Sequence, residues 1–338
     1  MIKKNYIRYK AWILTILLLK LGTSGLLAQN NSNVEIGSLL QKPDMKEIVY
    51  KTIGETNLKI YYTSPSNVKP GDKRAAVVFI HGGGWVAGGA DVFFMHARYF
   101  ALRGAVGFSI EYRLLKPNGP FMADCLADCK SAIRYIRIHA TELGIDPNKI
   151  VVIGDSAGGH LASCLGTIEG FDDPTDNLAI SAKVNAMVLC NPLSDCTNNN
   201  FIKFIIGGAA LDKNPAPEAL QPSTAQLELA RKLSPFYNVR KNQPPTLVMH
   251  GLDDKVILPE QSKLFTESMK KAGNRCELIL LENTRHAFII PNYTATEEIV
   301  VNAVRQVDLF LISLKYLKGL PNLVVSKEPA WIPKGQKK

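Results

Sequence analysis

The chain has 338 residues, of which 46% are hydrophobic and 21% charged, a composition typical of compact globular proteins rather than disordered or fibrous ones. Its net charge of +10 is concentrated at the two ends, because residues 1–28 contain five basic residues and no acidic one, and residues 326–338 contribute a further +3. No basic stripe interleaved with aromatic residues is left in between, which argues against a nucleic-acid partner.

Residues 1–28 have a basic start, an apolar run over 11–19 and small residues before a polar stretch, the pattern of a secretory signal peptide. The alternative is a membrane anchor, but this run is too short for a hydrocarbon core, which requires about 20 residues. We therefore expect an exported protein, periplasmic or extracellular, with no stable membrane anchor. Residues 29–46 are expected to form a linker.

From residue 47 onward, short apolar runs alternate with amphipathic helical stretches, which predicts a mostly parallel sheet with helices on both faces. The eight predicted strands lie at 47–53, 58–63, 75–80, 105–112, 149–154, 184–190, 245–250 and 276–282. The predicted crossover helices lie at 93–102, 121–143, 157–165, 259–272 and 294–317. Together they form one domain over 47–318, followed by a C-terminal tail over 319–338.

Residues 192–243 interrupt this alternation, since they contain several prolines and one helical stretch near 225–233 but no strand pattern. A segment of this length is typical of a cap inserted into the sheet, and we expect it to shape a substrate pocket.

The cysteines give no sign of a metal site, because no zinc-type spacing occurs, and we assign no metal. Cys125 and Cys129 lie at helical spacing, which predicts buried thiols. Cys190 and Cys196 are close in sequence and a disulfide between them stays open.

The first candidate site follows the strand predicted at 75–80, where His81, three glycines and Trp85 occur in a row. Glycine backbones can direct N–H groups at the oxygen that becomes negative during acyl transfer. We predict that the amides of Gly83 and Gly84, with that of Ala157 at a helix start, bind this oxyanion. A phosphate loop is the other interpretation, but no GK[ST] ending follows. Trp85 is equally compatible with an acyl-pocket wall and with an ordinary buried aromatic.

The nucleophile candidate is Ser156, which lies between the strand predicted at 149–154 and the helix predicted at 157–165 in a GxSxG pattern. A serine at the tip of such a tight strand-to-helix turn exposes its hydroxyl oxygen. The turn requires residues almost without side chains two positions before and after it, and Gly154 and Gly158 meet that requirement.

A serine hydroxyl needs a base, and an imidazole suits that purpose at neutral pH. If the base follows the acid and both follow the serine, His286 is the only histidine late enough, since His160 lies on the helix behind the turn and His250 precedes the acid. The acid should follow the strand predicted at 245–250, where Asp253 and Asp254 are both candidates. The sequence favours Asp254, with Asp253 as a turn residue.

Taken together, these motifs resemble the α/β-hydrolase esterases and lipases, in particular the hormone-sensitive-lipase-like group and the bacterial acetyl xylan and feruloyl esterases. The matching stretches, which span most of the chain after the leader, are HGGGW at 81–85, EYRL at 111–114, GDSAGG at 154–159, HGLDD at 250–254 and RHAF at 285–288. The resemblance implies an α/β-hydrolase fold, a triad of Ser156, Asp254 and His286, an oxyanion loop at Gly83 and Gly84, no cofactor, and hydrolysis of carboxylic esters.

We expect a secreted serine esterase that forms an acyl-enzyme and acts on acetyl or other short acyl esters of carbohydrates, either small molecules or polysaccharide-linked. A serine peptidase of the same fold is the nearest alternative, although no extended peptide cleft is visible in the sequence. A noncatalytic binding module on a hydrolase scaffold is the alternative from another class, and the intact set of candidate residues argues against it.

Overall fold

The sheet expected from the alternating pattern forms the centre of the computed structural model, which describes residues 32–41, 45–198 and 200–334. The strands are β1 (Val34–Glu35), β2 (Lys46–Ile53), β3 (Thr56–Thr63), β4 (Arg74–Ile80), β5 (Val106–Ile110), β6 (Ile145–Asp155), β7 (Ala186–Cys190), β8 (Thr246–Gly251), β9 (Cys276–Leu281) and β10 (Leu323–Val324). Strands β2 to β9 form one sheet in the order β2-β3-β5-β4-β6-β7-β8-β9, and each overlaps a predicted strand. The pairs β2/β3 and β3/β5 are antiparallel, and the other pairs are parallel. The predicted fold class is confirmed.

Helices cover both faces of this sheet. They are α1 (Phe94–Leu102), α2 (Met122–Ile138), α3 (Ala157–Thr167), α4 (Lys203–Ile206), α5 (Thr224–Lys232), α6 (Glu260–Lys271) and α7 (Glu297–Ser313). One core cluster joins α2, α3 and α6 to one face, and a second joins α1 and α7 to the other. Alternate residues of β4 therefore enter different cores, with Val78 in the first and Val77 in the second. Burial on both faces explains why this strand is continuously apolar.

The segment between β7 and β8 contains the predicted insertion. Within its described residues, 192–198 and 200–243, it contains α4, α5 and three short 3-10 helices but no strand. Helix α5 begins with a capping box, in which Ser223 accepts the backbone N–H of Gln226 and the Gln226 side chain accepts that of Ser223. The helical stretch expected near 225–233 corresponds to this helix.

The two ends of the described chain pair with each other. Strands β1 and β10 form a two-stranded parallel sheet, with Val34 opposite Leu323. Ile36 and Trp331 are buried in the same core cluster as α1 and α7. The segments expected to form a linker over 29–46 and a tail over 319–338 therefore contribute described residues to the core, and strands of two residues are too short for periodicity to reveal them.

The signal peptide predicted over 1–28 lies outside the described residues. Across 32–41, 45–198 and 200–334, none of the helices has the length and apolar character that spanning a bilayer demands.

All six cysteines are described, and they are buried free thiols, so Cys190 and Cys196 do not form the disulfide that the sequence left open. Burial raises the pKa of the Cys196 thiol to about 12.

Candidate active site

Ser156 occupies the sharp turn between β6 and α3. Its backbone has φ 56° and ψ −119°, a conformation that a non-glycine residue rarely adopts and that is found mainly at functional sites. A Cβ at Gly154 would overlap the carbonyl oxygen of Gly158, and a Cβ at Gly158 would overlap that of Ile80 on β4. The backbone N–H of Ser156 donates to the carbonyl of Cys190 at 2.9 Å, which ties the turn to β7. The two glycines thus allow the close packing that fixes the serine.

The structure brings three of the predicted side chains into one chain of hydrogen bonds. The Oγ of Ser156 lies 2.9 Å from Nε2 of His286, and Nδ1 of His286 lies 2.6 Å from Oδ2 of Asp254. Asp254 is buried, whereas the neighbouring Asp253 is exposed and its backbone N–H donates to the carbonyl of Thr284. Of the two carboxylates left open by the sequence, Asp254 is therefore the one in contact with the imidazole.

The Asp254 carboxylate has four donors around it. Its Oδ1 accepts the backbone N–H groups of Val256 at 2.8 Å and Ile257 at 3.0 Å. Its Oδ2 lies 3.1 Å from Nε2 of His250 in addition to its bond with His286. Burial raises the pKa of Asp254, but the hydrogen bonds from the two histidines outweigh that effect and hold the pKa below its ordinary value. The carboxylate is thus kept ionised in a buried place.

A second buried carboxylate acts on the imidazole electrostatically. Burial raises the pKa of Asp155 to about 6, and its Oδ1 accepts a 2.6 Å hydrogen bond from the Asn191 amide. Burial lowers the pKa of His286, but the bond to Asp254 and the negative charges of Asp155 and Asp254 outweigh it, so that the pKa is raised. A raised pKa makes His286 a stronger base for the serine proton.

The glycine loop after β4 adopts backbone conformations that require glycine. Gly83 has φ 107°, and a Cβ there would overlap the carbonyl oxygen of Ala87. The loop is anchored by the Tyr112 hydroxyl, which donates to the carbonyl of His81 at 2.8 Å. Among the described residues, the amides of Gly83, Gly84 and Ala157 donate no hydrogen bond. These three predicted donors remain available for an oxygen near Ser156.

A cavity of about 450 Å³ opens over the serine. Its apolar walls come from the glycine loop, from the insertion and from the segments after β8 and β9: Trp85, Val92, Phe201, Phe204, Val256, Ile257, Ile290 and Tyr293. Trp85 fits both sequence interpretations, since it is only 1% exposed and also lines this cavity. The insertion contributes two aromatic rings, as expected of a segment that shapes a pocket. Within the glycine loop, His81 also lines it.

Some contacts of the site could not be found from the sequence. His160 packs as expected, with Nε2 2.8 Å from the carbonyl of Leu233. By contrast, nothing in the motif pattern indicated that His250 contacts Asp254 or that Asn191 binds Asp155. His250 and Asn191 lie at the carboxyl ends of β8 and β7, the edge of the sheet where ligands bind in α/β folds, but this position alone does not indicate which side chains they contact.

Comparison with known proteins bears on the fold and on the class of activity. The family model described as BD-FAE matches residues 58–269, more than half of the chain. The solved structure of esterase 2 from Thermogutta terrifontis with propionate bound is 35% identical in sequence, with a TM-score of 0.70, over 82% of this chain and 97% of that one. Esterase LipC from Mycobacterium tuberculosis is 29% identical over 63% of this chain and 52% of its own length.

A further relative is a probable isoprenylcysteine alpha-carbonyl methylesterase from Arabidopsis thaliana, 24% identical over 71% of this chain and 50% of its own length. The chain spans about half the length of these curated relatives. The family model nonetheless covers strands β4 to β8 and the serine turn between β6 and α3. The chain therefore belongs to the BD-FAE family within the α/β-hydrolase esterases and lipases, which are carboxylic ester hydrolases.

Proposed function

We propose that this chain is an exported serine esterase that hydrolyses acetyl or other short acyl esters of carbohydrates through Ser156, His286 and Asp254. The observation that carries the proposal is the continuous set of hydrogen bonds from the serine hydroxyl through the imidazole to the buried carboxylate, at the floor of an apolar cavity. That arrangement is the one in which a serine hydroxyl becomes a nucleophile at neutral pH.

In the first half of the reaction the Ser156 oxygen attacks the ester carbonyl carbon while Nε2 of His286 takes the hydroxyl proton. Negative charge develops on the carbonyl oxygen, and the free amides of Gly83, Gly84 and Ala157 stabilise it. The tetrahedral intermediate collapses when His286 gives its proton to the leaving alcohol. Water then attacks the acyl-enzyme by the same route and releases the acid. Asp254 stays ionised throughout and stabilises the imidazolium form.

The preference for short acyl groups is supported by the walls of the cavity. The Phe204 ring packs against Trp85 with 5.0 Å between the ring centroids, and both rings line the cavity over Ser156 beside the glycine loop. The esterase 2 structures from Thermogutta terrifontis include one with propionate and one with butyrate bound, both short carboxylates. Both observations favour an acyl group of a few carbons.

A carbohydrate as the alcohol part is supported by the resemblance of the motifs to the bacterial acetyl xylan and feruloyl esterases, and by Tyr293. This ring lines the cavity and is 40% exposed, and Nζ of Lys334 lies 4.8 Å from its centroid. The exposed part of the ring can pack against the apolar face of a sugar. Export is supported by the signal-like pattern over 1–28. An exported enzyme has access to polysaccharide esters that do not enter a cell.

The test compares p-nitrophenyl esters of increasing acyl length with acetylated xylan, using the wild type and Ser156→Ala. We expect kcat/KM to be highest for the two- to four-carbon acyl groups, acetate to be released from the xylan, and Ser156→Ala to lose both activities. A fluorophosphonate probe should label the wild type and leave the variant unlabelled. A maximum at long acyl chains, or preference for aminoacyl-p-nitroanilides, would reject the carbohydrate-esterase proposal, and an active Ser156→Ala would reject the nucleophile.

A further inference from the structure

His250, the last-but-one residue of β8, has no part in the mechanism above and is fully buried. Both nitrogens of its ring are in contact with polar atoms. Nδ1 lies 2.6 Å from the hydroxyl oxygen of Ser262 on α6. Nε2 lies 2.8 Å from the carbonyl oxygen of Ile257 and 3.1 Å from Oδ2 of Asp254. The ring therefore connects α6 to the carboxylate that contacts His286.

These contacts determine which nitrogen of His250 carries the proton. A carbonyl and a carboxylate oxygen can only accept, so Nε2 carries the proton and donates to the Ile257 carbonyl, and this proton also lies close to the Asp254 carboxylate. In the neutral ring Nδ1 is then the acceptor, and the Ser262 hydroxyl donates to it. Ser262 and His250 therefore hold one tautomer, in which Nε2 carries its proton toward the Ile257 carbonyl, with Oδ2 of Asp254 beside it at 3.1 Å.

For Asp254 the consequence is a fixed carboxylate plane. Its Oδ1 is held by the amides of Val256 and Ile257, but among the residues that the structure describes Oδ2 has only the two imidazoles as partners. Without His250, Oδ2 would depend on His286 alone, the ring that it is meant to orient. A displacement of about 1 Å in such a group can cost about a hundredfold in rate.

We propose that His250, held by Ser262, is a positioning residue that fixes Asp254 for its contact with His286. This inference rests on the proposed function, because it assigns His250 a part in the same reaction. Asp254 acts on proton transfer in the transition state, so loss of its orientation lowers kcat and leaves KM unchanged. If the substitution of His250 acted only by displacing Ile257, which lines the cavity, substrate binding would weaken and KM would rise instead.

Two amide substitutions of similar size separate the contact that Nε2 makes with Asp254 from the contact that Nδ1 makes with Ser262. In His250→Gln the side-chain amide nitrogen takes the place of Nε2 and can still donate to Asp254. In His250→Asn the shorter side chain places its amide only where Nδ1 lies. It can therefore keep the hydrogen bond with Ser262 but loses the contact with Asp254. We expect His250→Asn to lower kcat on p-nitrophenyl acetate about tenfold to a hundredfold, and His250→Gln to restore most of it. Equal kcat values for His250→Asn and the wild type, or no recovery in His250→Gln, would overturn the proposal.

A double-mutant cycle with Asp254→Asn tests whether His250 acts through that carboxylate. In the Asp254→Asn background the His250→Asn change should lower kcat by less than about threefold, because the group that it positions is already absent. An undiminished loss in that background would show that His250 acts by another route. If Asp254→Asn alone were as active as the wild type, the proposed triad would fail, an outcome that is distinct from failure of the His250 proposal.

Thermal unfolding of each variant shows which of them fold. If the His250 variants do not fold, Ser262→Ala provides the same test with the imidazole retained. Its ring would lose the partner of Nδ1, and we expect about threefold to tenfold lower kcat with unchanged KM. Wild-type kcat in a folded Ser262→Ala would then overturn the proposal.

Discussion

Replacing Asp254 by asparagine converts one carboxylate oxygen into an NH2 group without changing the size of the side chain. Because Oδ1 accepts the backbone N–H groups of Val256 and Ile257, the amide oxygen of asparagine is expected to keep that position. Its NH2 group then faces Nδ1 of His286, where Oδ2 of the aspartate lies 2.6 Å away. An NH2 group donates only, so the imidazole must offer the lone pair of Nδ1 and carry its own proton on Nε2.

An imidazole protonated on Nε2 cannot take the hydroxyl proton of Ser156, which lies 2.9 Å away. In serine proteases the same exchange of acid for amide lowers kcat about 10⁴-fold because it imposes the wrong tautomer. We expect Asp254→Asn to lose about 10⁴-fold in kcat, which corresponds to about 5.5 kcal/mol of transition-state stabilisation.

Steady-state hydrolysis of p-nitrophenyl acetate measures this loss, and Asp253→Asn is the matched control, since its side chain is exposed and next in sequence. The control should stay within about twofold of the wild type, as surface substitutions usually have small effects. Thermal unfolding of both variants checks that they fold. More than a tenth of wild-type kcat in Asp254→Asn, or an equal loss in the control, would refute the reasoning.

The remaining predictions concern pH dependence and acyl length. Because neutral His286 is the active base and its pKa is raised, kcat/KM should fall as pH drops through a pKa higher than that of an ordinary histidine. Asp155→Asn removes one charge that raises the pKa of His286, so the acidic limb of this variant should lie at lower pH, and an unmoved limb would contradict the electrostatic contact. Phe204→Ala removes a ring packed beside Trp85, so each additional methylene that the cavity then buries should gain about fourfold in kcat/KM. The p-nitrophenyl ester series measures this change, and an unaltered length profile would show that Phe204 does not limit the acyl group.

Much of the fold could be predicted from sequence because its strands are buried on both faces. Strand β4 (Arg74–Ile80) has six consecutive buried apolar residues, so its pattern does not depend on knowing its neighbours. The pair β1 and β10 could not be predicted in the same way. Each has two residues, and what defines them is their contact with each other across nearly the whole chain.

In the candidate site, too, some residues follow from a local sequence requirement and others depend on contacts that only the structure shows. Ser156 was identified because a strand-to-helix turn of this kind imposes glycine at fixed neighbouring positions, a local requirement that a sequence displays. The choice between Asp253 and Asp254 depended on where one turn directs two adjacent side chains, which only the structure gives. His250 and Asp254 are only four residues apart, but their contact depends on how the turn after β8 folds back on the strand end, which the motif pattern does not indicate.

The position of His286 also depends on residues far along the chain. The Arg285 guanidinium donates to the carbonyl of Lys334 at 2.9 Å, and the backbone N–H of Lys334 donates to the backbone carbonyl of Tyr293 at 2.7 Å. The Trp331 indole N–H donates to the carbonyl of Ala295 at 2.9 Å. The loop that carries the imidazole is therefore bound at three places to the segment after residue 318. A chain ending at 318 would keep every residue of the proposed triad and lose these contacts, so the motifs specify the chemical groups of the site while its geometry also requires the segment that lacks motifs.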